Sequence, residues 1–264
     1  MPELPEVETL ARQIRPFVEG ETILDAEVAV HPRFREARSA VGSKVVGLMR
    51  RGKYLILELD GGAELVLHLG MTGQLLWGNR PDKDHVHLGL VFPSGVLWFR
   101  DPRRFGRVSY LPSGDRSGLL TLSSLGPEPD DPEFTVARVR RFLCPSGSPV
   151  KARLLEQRLV AGVGNYIADE VLWRARVHPE ARSIDTNAAR RVHRAVLSVV
   201  SDSLRFGGVS ERDYLHLDGS AGSFAEHLDA HGRAGLPCRR CKTLLLKSRV
   251  AGRGTVHCPS CQQR

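Results

Sequence analysis

Tyr54-Leu55-Ile56-Leu57-Glu58-Leu59, followed by Asp60-Gly61-Gly62 and then Leu65-Val66-Leu67-His68-Leu69, decides the first half of the fold. Two short apolar runs separated by a turn-forming Asp-Gly-Gly predict a β-hairpin. The same grammar repeats outward: Val45-Val46-Gly47 precedes it, and His87-Leu88-Gly89-Leu90-Val91-Phe92 and Val96-Leu97-Trp98-Phe99 follow, joined by Pro93-Ser94-Gly95. Short strands punctuated by turn residues predict an antiparallel β-sandwich or barrel over residues 1–112. Ahead of the strands, Val7, Leu10, Ala11 and Ile14 share one face of a helix expected over about residues 5–15.

Residues 113–133 are rich in Pro, Gly, Ser and Asp and end in Gly126-Pro127-Glu128-Pro129-Asp130-Asp131-Pro132, which reads as a linker. Helical periodicity then takes over at 134–142, 151–160, 166–176 and 186–206, with Gly207-Gly208 as the final stop, so a helical domain is expected over 134–230. Val160-Ala161-Gly162-Val163-Gly164-Asn165 is a tight helix-turn-helix junction. Its glycines serve either close helix packing or the approach of a phosphate to amides at a helix start.

Residues 231–264 hold Cys238-x2-Cys241 and Cys258-x2-Cys261, sixteen residues apart. Two such knuckles place four thiolates tetrahedrally around zinc. A pair of disulfides would need an oxidising compartment, against which the absence of an apolar leader argues. Segments 244–247 and 250–256 read as strands about a Gly252-Arg253-Gly254 turn, with Arg253 at its tip. This is a zinc ribbon, stapled by the ion because so short a segment buries little core. Cys144 reads as a free thiol. The expected class is α+β multidomain: an N-terminal antiparallel β-sandwich with an N-terminal helix, a helical domain, and a C-terminal zinc ribbon.

The net charge of +8 is unevenly placed. Residues 231–264 hold eight Lys or Arg and no Asp or Glu, and residues 138–212 hold fourteen basic against seven acidic groups. Two basic segments suggest a polyanionic partner, since neutralising phosphates releases counterions; the alternative is a merely solvated surface. The chain shows neither an apolar leader nor a run of about eighteen apolar residues, so no membrane association and a cytoplasmic location are expected. Gly47-Leu48-Met49-Arg50-Arg51-Gly52-Lys53 imitates a phosphate-binding P-loop, but Tyr54 stands where Ser or Thr should bind magnesium and a strand follows. A nucleotide triphosphatase is rejected. Lys53 then either points into a groove from the head of a strand or is an exposed turn lysine.

The chain begins Met1-Pro2-Glu3-Leu4-Pro5-Glu6. Removal of Met1 would expose the secondary amine of Pro2. With a reference pKa of about 7.7 to 8.0, an α-amino group is partly neutral near pH 7 and nucleophilic. Attack on a sugar C1′ would give an iminium ion that acidifies the C2′ proton, with Glu3 adjacent to relay protons. The plainer alternative is that Pro2 and Pro5 simply open a helix.

These pieces together resemble the formamidopyrimidine-DNA glycosylase family of bifunctional base-excision enzymes over the whole chain. The motifs are Pro2-Glu3-Leu4-Pro5-Glu6-Val7-Glu8-Thr9, Arg51-Gly52-Lys53-Tyr54, His68-Leu69-Gly70-Met71-Thr72-Gly73, Asp101-Pro102-Arg103-Arg104-Phe105-Gly106, residues 160–170, and Gly252-Arg253-Gly254-Thr255. The resemblance implies a β-sandwich joined to a helix-two-turn-helix domain and a zinc finger. It implies Pro2 as Schiff-base nucleophile, Glu3 as the acid assisting ring opening or base departure and then relaying protons, Lys53 on phosphate and in the eliminations, and Arg253 on flanking phosphates and in the second elimination. It implies Met71, Arg103 and Phe105 as fillers of the void left by an everted base, where the residues alone favour ordinary core packing for Met71 and Phe105. Lys151 and Asn165 match phosphate contacts, His85 a DNA-contacting region, and Glu6 a support of the active site. One structural Zn2+ held by Cys238, Cys241, Cys258 and Cys261, and no organic cofactor, are implied.

Lys83 stands where the family often has histidine, and His231 where tyrosine commonly precedes Gly-Arg. Residues 209–223 match the family's loop over the everted base. The activity expected is excision of oxidised purines, 8-oxoguanine and formamidopyrimidines, from damaged double-stranded DNA, with β,δ-elimination by a monomeric bacterial enzyme associated with the nucleoid through DNA. Two alternatives remain: an endonuclease VIII-like enzyme for oxidised pyrimidines, or a non-catalytic, zinc-dependent DNA-binding protein.

Overall fold

The computed structural model describes residues 1–264 except Met1, Val30, Asp82, Lys83, Pro145, Ser146, Glu211, Arg212, Asp213 and Arg264. The expectation attached to Lys83 therefore lies outside the described residues. The chain forms two compact units: Met1–Ser123 with Phe206–Ser223, and Ser124–Arg205 with Phe224–Arg264.

The first unit opens with helix α1 (Leu4–Val18), whose Val7, Leu10, Ala11, Ile14 and Val18 form the buried stripe. Its strands are β1 (Asp25–Val28), β2 (Val45–Arg51), β3 (Tyr54–Leu59), β4 (Ala63–His68), β5 (Gln74–Trp77), β6 (Val86–Phe92), β7 (Gly95–Arg100) and β8 (Arg107–Pro112). They form two antiparallel four-stranded sheets, ordered β1-β6-β7-β5 and β2-β3-β4-β8. Alternate residues Leu55, Leu57 and Leu59 of β3 and Leu65 and Leu67 of β4 share a core with Leu75, Leu88, Leu90, Leu97, Phe99 and the α1 stripe.

Three strands escape the apolar-run criterion. β1 and β8 bury only Ala26 and Val108, and β5 is only four residues long, so strand pairing rather than a continuous apolar run reveals them. A 3-10 helix, Pro32–Ala40, was equally invisible; Phe34, Ala37 and Ala40 are its buried residues, spaced by the three residues per turn of that helix. The returning segment 206–223 adds Tyr214 and Leu217 to the same core.

The stretch expected to be a plain linker contains a short helix, α2 (Leu120–Ser123), whose Thr121 hydroxyl lies 2.7 Å from the Tyr54 hydroxyl. The second unit then comprises α3 (Val136–Leu143), α4 (Val150–Leu155), α5 (Asn165–Ala175), α6 (Thr186–Arg205), a 3-10 turn Phe224–His227, and the ribbon strands β9 (Leu246–Val250) and β10 (Arg253–His257). α4 stops well short of the expected residue 160. Gln157 adopts φ 59° and its side chain accepts from the Gly162 amide, which closes the chain into turns before α5. In α6, residues 188, 189, 192, 195, 196, 199, 200 and 203 are buried, so a helical stripe runs its length.

The ribbon register corrects one expectation. Val250 pairs with Arg253, so the turn is Ala251-Gly252, with φ 48° and 75°. Two consecutive positive φ angles are what a two-residue type I′ hairpin requires. Arg253 is thus the first residue of β10, exposed but not at the tip.

Candidate active site and nucleic-acid interface

In the first unit, Pro2 is buried and Glu3 is 2% exposed at the mouth of α1. Glu6, also buried, explains how they are held: its Oε2 accepts the Glu3 amide at 2.7 Å, the return half of a capping box. Its other oxygen accepts the Val209 amide at 2.7 Å, and the Tyr214 hydroxyl donates to the Glu6 carbonyl at 3.1 Å. Burial, then the Glu6 charge, pushes the Tyr214 phenol up, so it remains a donor. Gly208 permits this approach: at φ 86°, a Cβ there would lie 2.5 Å from Glu6 Oε1. The support role expected of Glu6 therefore has a geometry, while Val209, Gly208 and Tyr214 were invisible in sequence because they lie some two hundred residues from their partner.

Lys53 occupies the two-residue turn Gly52-Lys53 between β2 and β3, since Arg51 pairs with Tyr54. A turn lysine is ordinarily solvated; Lys53 is only 4% exposed. That removes the exposed-turn alternative. Nearby, burial, Arg107 and Lys53 together push His68 down to about 3, and its Nδ1 accepts the Gly70 amide at 3.1 Å. His68 is thus a neutral ring with the proton on Nε2.

Met71, Arg103, Phe105 and His85 come together on turns at one end of the sheets, gathered by the fully buried Asp101. Asp101 Oδ1 accepts the Thr72 hydroxyl at 2.5 Å and the Arg103 amide at 3.2 Å, and Oδ2 accepts the Gly106 amide at 2.6 Å. Its own amide donates to the His85 carbonyl at 2.9 Å. Gly70, at φ 65°, lets the first turn approach the second so closely that a Cβ would lie 2.6 Å from the Phe105 backbone. Phe105 is 44% exposed and Arg103 lies 5.0 Å from its ring centroid. A large aromatic left open beside a cation does not fit the core-packing alternative, whereas half-buried Met71 sits between both descriptions.

In the second unit, the α5 start carries Asn165, whose Nδ2 donates to the Gly254 carbonyl at 3.1 Å; its Oδ1 has no hydrogen-bond partner among the described residues. Lys151, for which a phosphate contact is expected, lies inside the second unit. The side chain is fully buried, with Nζ 2.7 Å from Asp169 Oδ1, 2.9 Å from the Gly254 carbonyl and 2.8 Å from Thr255 Oγ1. All three donors of an ammonium find acceptors in that set, and the residue seats the strand that begins with Arg253. Asp169 Oδ2 meets His231 Nδ1 at 2.9 Å, so the histidine substituting for tyrosine joins the same cluster. Glu170 accepts the amides of Asp229, Ala230 and His231, its carboxyl pushed up by burial against the pull of those bonds. Both acids lay within the 160–170 motif; two adjacent carboxylates inside an apolar helix were the signal.

The Sγ atoms of Cys238, Cys241, Cys258 and Cys261 all lie within 4.8 Å of one another. A tetrahedral zinc with bonds of about 2.3 Å spaces its thiolates by about 3.8 Å, so the donor set fits that ion. Trp173 Nε1 donates to Cys238 Sγ and the Cys261 amide to Cys258 Sγ, both at 3.3 Å, which orients the sulfurs as second-layer bonds do in zinc sites.

Three family models match in order: "Formamidopyrimidine-DNA glycosylase N-terminal domain" over residues 1–108, "Formamidopyrimidine-DNA glycosylase H2TH domain" over 125–214, and "Zinc finger found in FPG and IleRS" over 235–264. The chain is 44% identical to the formamidopyrimidine-DNA glycosylase of Thermus thermophilus, covering 99% of this chain and 98% of the relative. It is 42% identical to that of Deinococcus radiodurans, covering 99% and 97%. The crystal structure of the MutM (Fpg) protein from Thermus thermophilus superposes with a TM-score of 0.93 at 43% identity, covering 99% of this chain and 98% of that one. A Lactococcus lactis Fpg mutant in complex with a Fapy-dG-containing DNA superposes with a TM-score of 0.91 at 36% identity, each chain covered completely.

Proposed function

Because the chain belongs to the formamidopyrimidine-DNA glycosylase family, we propose that it excises oxidised purines, 8-oxoguanine and formamidopyrimidines, from duplex DNA and then cleaves the strand as an abasic-site lyase. The observation that carries this reading is the built N-terminus: Pro2 and Glu3 buried, with the Glu3 amide fixed by Glu6.

A base inside a duplex is out of reach, so the nucleotide is everted before chemistry. With Met1 removed, the Pro2 nitrogen attacks C1′ and gives up its proton as the C1′–N bond to the base breaks and the base leaves protonated; the C1′–O4′ bond then opens, O4′ takes a proton relayed by Glu3, and C1′ is left as an iminium ion with the Pro2 nitrogen. Loss of the C2′ proton then expels the 3′ phosphate, and a second elimination expels the 5′ phosphate. The product is a one-nucleotide gap with phosphates at both ends. Lys53 and Arg253 act on the phosphates during these eliminations, Asn165 and His85 hold the DNA backbone, and Met71, Arg103 and Phe105 fill the void. Lys151 serves this scheme as a positioning residue for Arg253. The four cysteines hold one structural zinc, and no organic cofactor enters. The enzyme acts as a monomer on DNA in the cytoplasm; among the described residues no helix is long and apolar enough to cross a membrane.

The test is borohydride trapping on a duplex bearing 8-oxoguanine opposite cytosine, with the crosslink located by mass spectrometry. A crosslink at Pro2 is expected. Neither crosslink nor scission with this duplex, but both with thymine glycol, would replace the reading by the pyrimidine-specific one; none with either would leave a DNA-binding protein without catalysis.

A further inference from the structure

We infer that Asp101 is the positioning residue that sets the duplex-probing turns as one rigid piece, with Thr72 as its partner. This rests on the reading of Met71, Arg103 and Phe105 as void fillers. Those three side chains lie on two separate stretches of chain, Met71 on one and Arg103 and Phe105 on the other, and nothing in their own chemistry fixes the spacing between the two. Asp101 supplies it. One carboxylate takes the Thr72 hydroxyl next to Met71, the Arg103 amide, and the Gly106 amide next to Phe105. Its backbone adds the His85 carbonyl through its amide and the His87 ring through its carbonyl, at 2.9 Å each. The carboxylate is fully buried together with the Thr72 hydroxyl and the Gly106 amide that it accepts, and the part-buried Arg103 amide is shared between it and Thr72 Oγ1, the latter at 3.3 Å.

The turn so held is not a relaxed one. Arg104, between the two probing residues, has φ 57°, in the left-handed region disfavoured for a side chain with a Cβ. Its amide bonds back to the Asp101 carbonyl at 3.2 Å, and its own carbonyl accepts Arg33 at 2.9 Å. The arrangement points Arg103 and Phe105 outward together, stacked on one another and exposed, instead of letting the apolar ring fold inward. Pre-setting the turn removes ordering entropy from the moment of DNA distortion, so its loss should tell on duplex engagement and not on the sugar chemistry.

The experiment uses the full-length, zinc-loaded protein and four variants: Thr72→Val, Thr72→Ser, Asp101→Asn and Phe105→Ala. Asn at 101 would set an amide N–H₂ against an N–H donor, and Val at 72 removes only the hydroxyl. The first readout is the fluorescence of 2-aminopurine placed beside the orphaned base, in a duplex with a tetrahydrofuran abasic analogue at saturating protein; insertion of Phe105 unstacks the probe. The second is KM and kcat on an 8-oxoguanine duplex. Thr72→Val and Asp101→Asn should lose most of the fluorescence rise and raise KM about tenfold, the worth of one buried hydrogen bond, with kcat little changed. Thr72→Ser should behave as wild type. An unaltered signal and KM in Thr72→Val overturns the inference, as does Thr72→Ser failing together with Thr72→Val and a fall in kcat. Phe105→Ala separates the two levels: if it leaves the signal and KM untouched, the void-filling reading itself is wrong.

Discussion

Lys151 Nζ lies 2.7 Å from Asp169 Oδ1 with both side chains fully buried, and the same ammonium holds the Gly254 carbonyl and the Thr255 hydroxyl. The pair therefore fastens the start of β10 to α5 within the second unit. Removing one partner of such a pair leaves an uncompensated buried charge and costs about 3–5 kcal/mol. Lys151→Met is expected to lower the unfolding free energy by that order. It should also shift the products from δ- toward β-elimination, because Arg253 loses its seat. Unfolding curves and gel separation of the two products check this; an unchanged product ratio would favour a direct contact of Lys151 with DNA over a role through Arg253.

Glu3→Gln should keep lesion affinity and lose excision by about 10²- to 10⁴-fold, the range for removing a positioned acid or base. Binding by anisotropy and single-turnover excision on the same duplex separate the two effects. Wild-type turnover would take Glu3 out of the mechanism.

Gly208→Ala introduces a Cβ into the space of the Glu6 carboxylate, at a φ that a side chain disfavours. Loss of about 1–3 kcal/mol is expected, since Glu6 must give up one of its two amides. Excision should fall with it, because the displaced carboxylate is the one that fixes the Glu3 amide. A variant of full stability and full activity would show that the 206–223 segment does not act through Glu6.

His68 is neutral in the fold, its pKa down at about 3 against 6.5 when solvated. The unfolded chain therefore binds a proton that the native one refuses as pH falls below 6.5. Stability drops by up to about 1.4 kcal/mol per pH unit from there toward pH 3, and is unaffected above 6.5. At pH 5 the difference is about 2 kcal/mol. Urea unfolding at pH 7.5 and 5 should show a smaller loss in His68→Asn, whose side-chain oxygen still accepts the Gly70 amide; parallel losses would contradict the assignment.

Chelation of zinc should abolish DNA affinity while most of the β-sheet signal in circular dichroism persists, since the ribbon folds on its ion. Affinity retained by metal-free protein would mean that the ribbon, and Arg253 with it, does not contribute to binding.

What the sequence made legible follows the range of the forces involved. β3 was read to its ends because six consecutive residues and a Gly-rich turn state it locally, whereas β1 and β8 depend on partners far along the chain and carry little apolar signal of their own. The four-cysteine donor set was legible because identity and spacing define it, whereas the roles proposed for Pro2 and Lys53 rest on the family motifs that contain them. Glu6 could be placed near the site but not joined to Val209, and Lys151 looked like any basic residue until its burial was known. Asp101 stood in a family motif without a role, because the worth of a buried carboxylate lies in which amides reach it.

The return of residues 206–223 to the first unit has a consequence for synthesis. Tyr214 and Leu217 complete the core begun by α1, and the Val209 amide completes the cradle of the N-terminus. The nucleophile's surroundings are thus unfinished while the ribosome makes the intervening helices, an interval of several seconds at about 5–20 residues per second. A nascent chain cut between residues 112 and 206 would carry every proposed reacting group of the sandwich and none of the segment that holds them still.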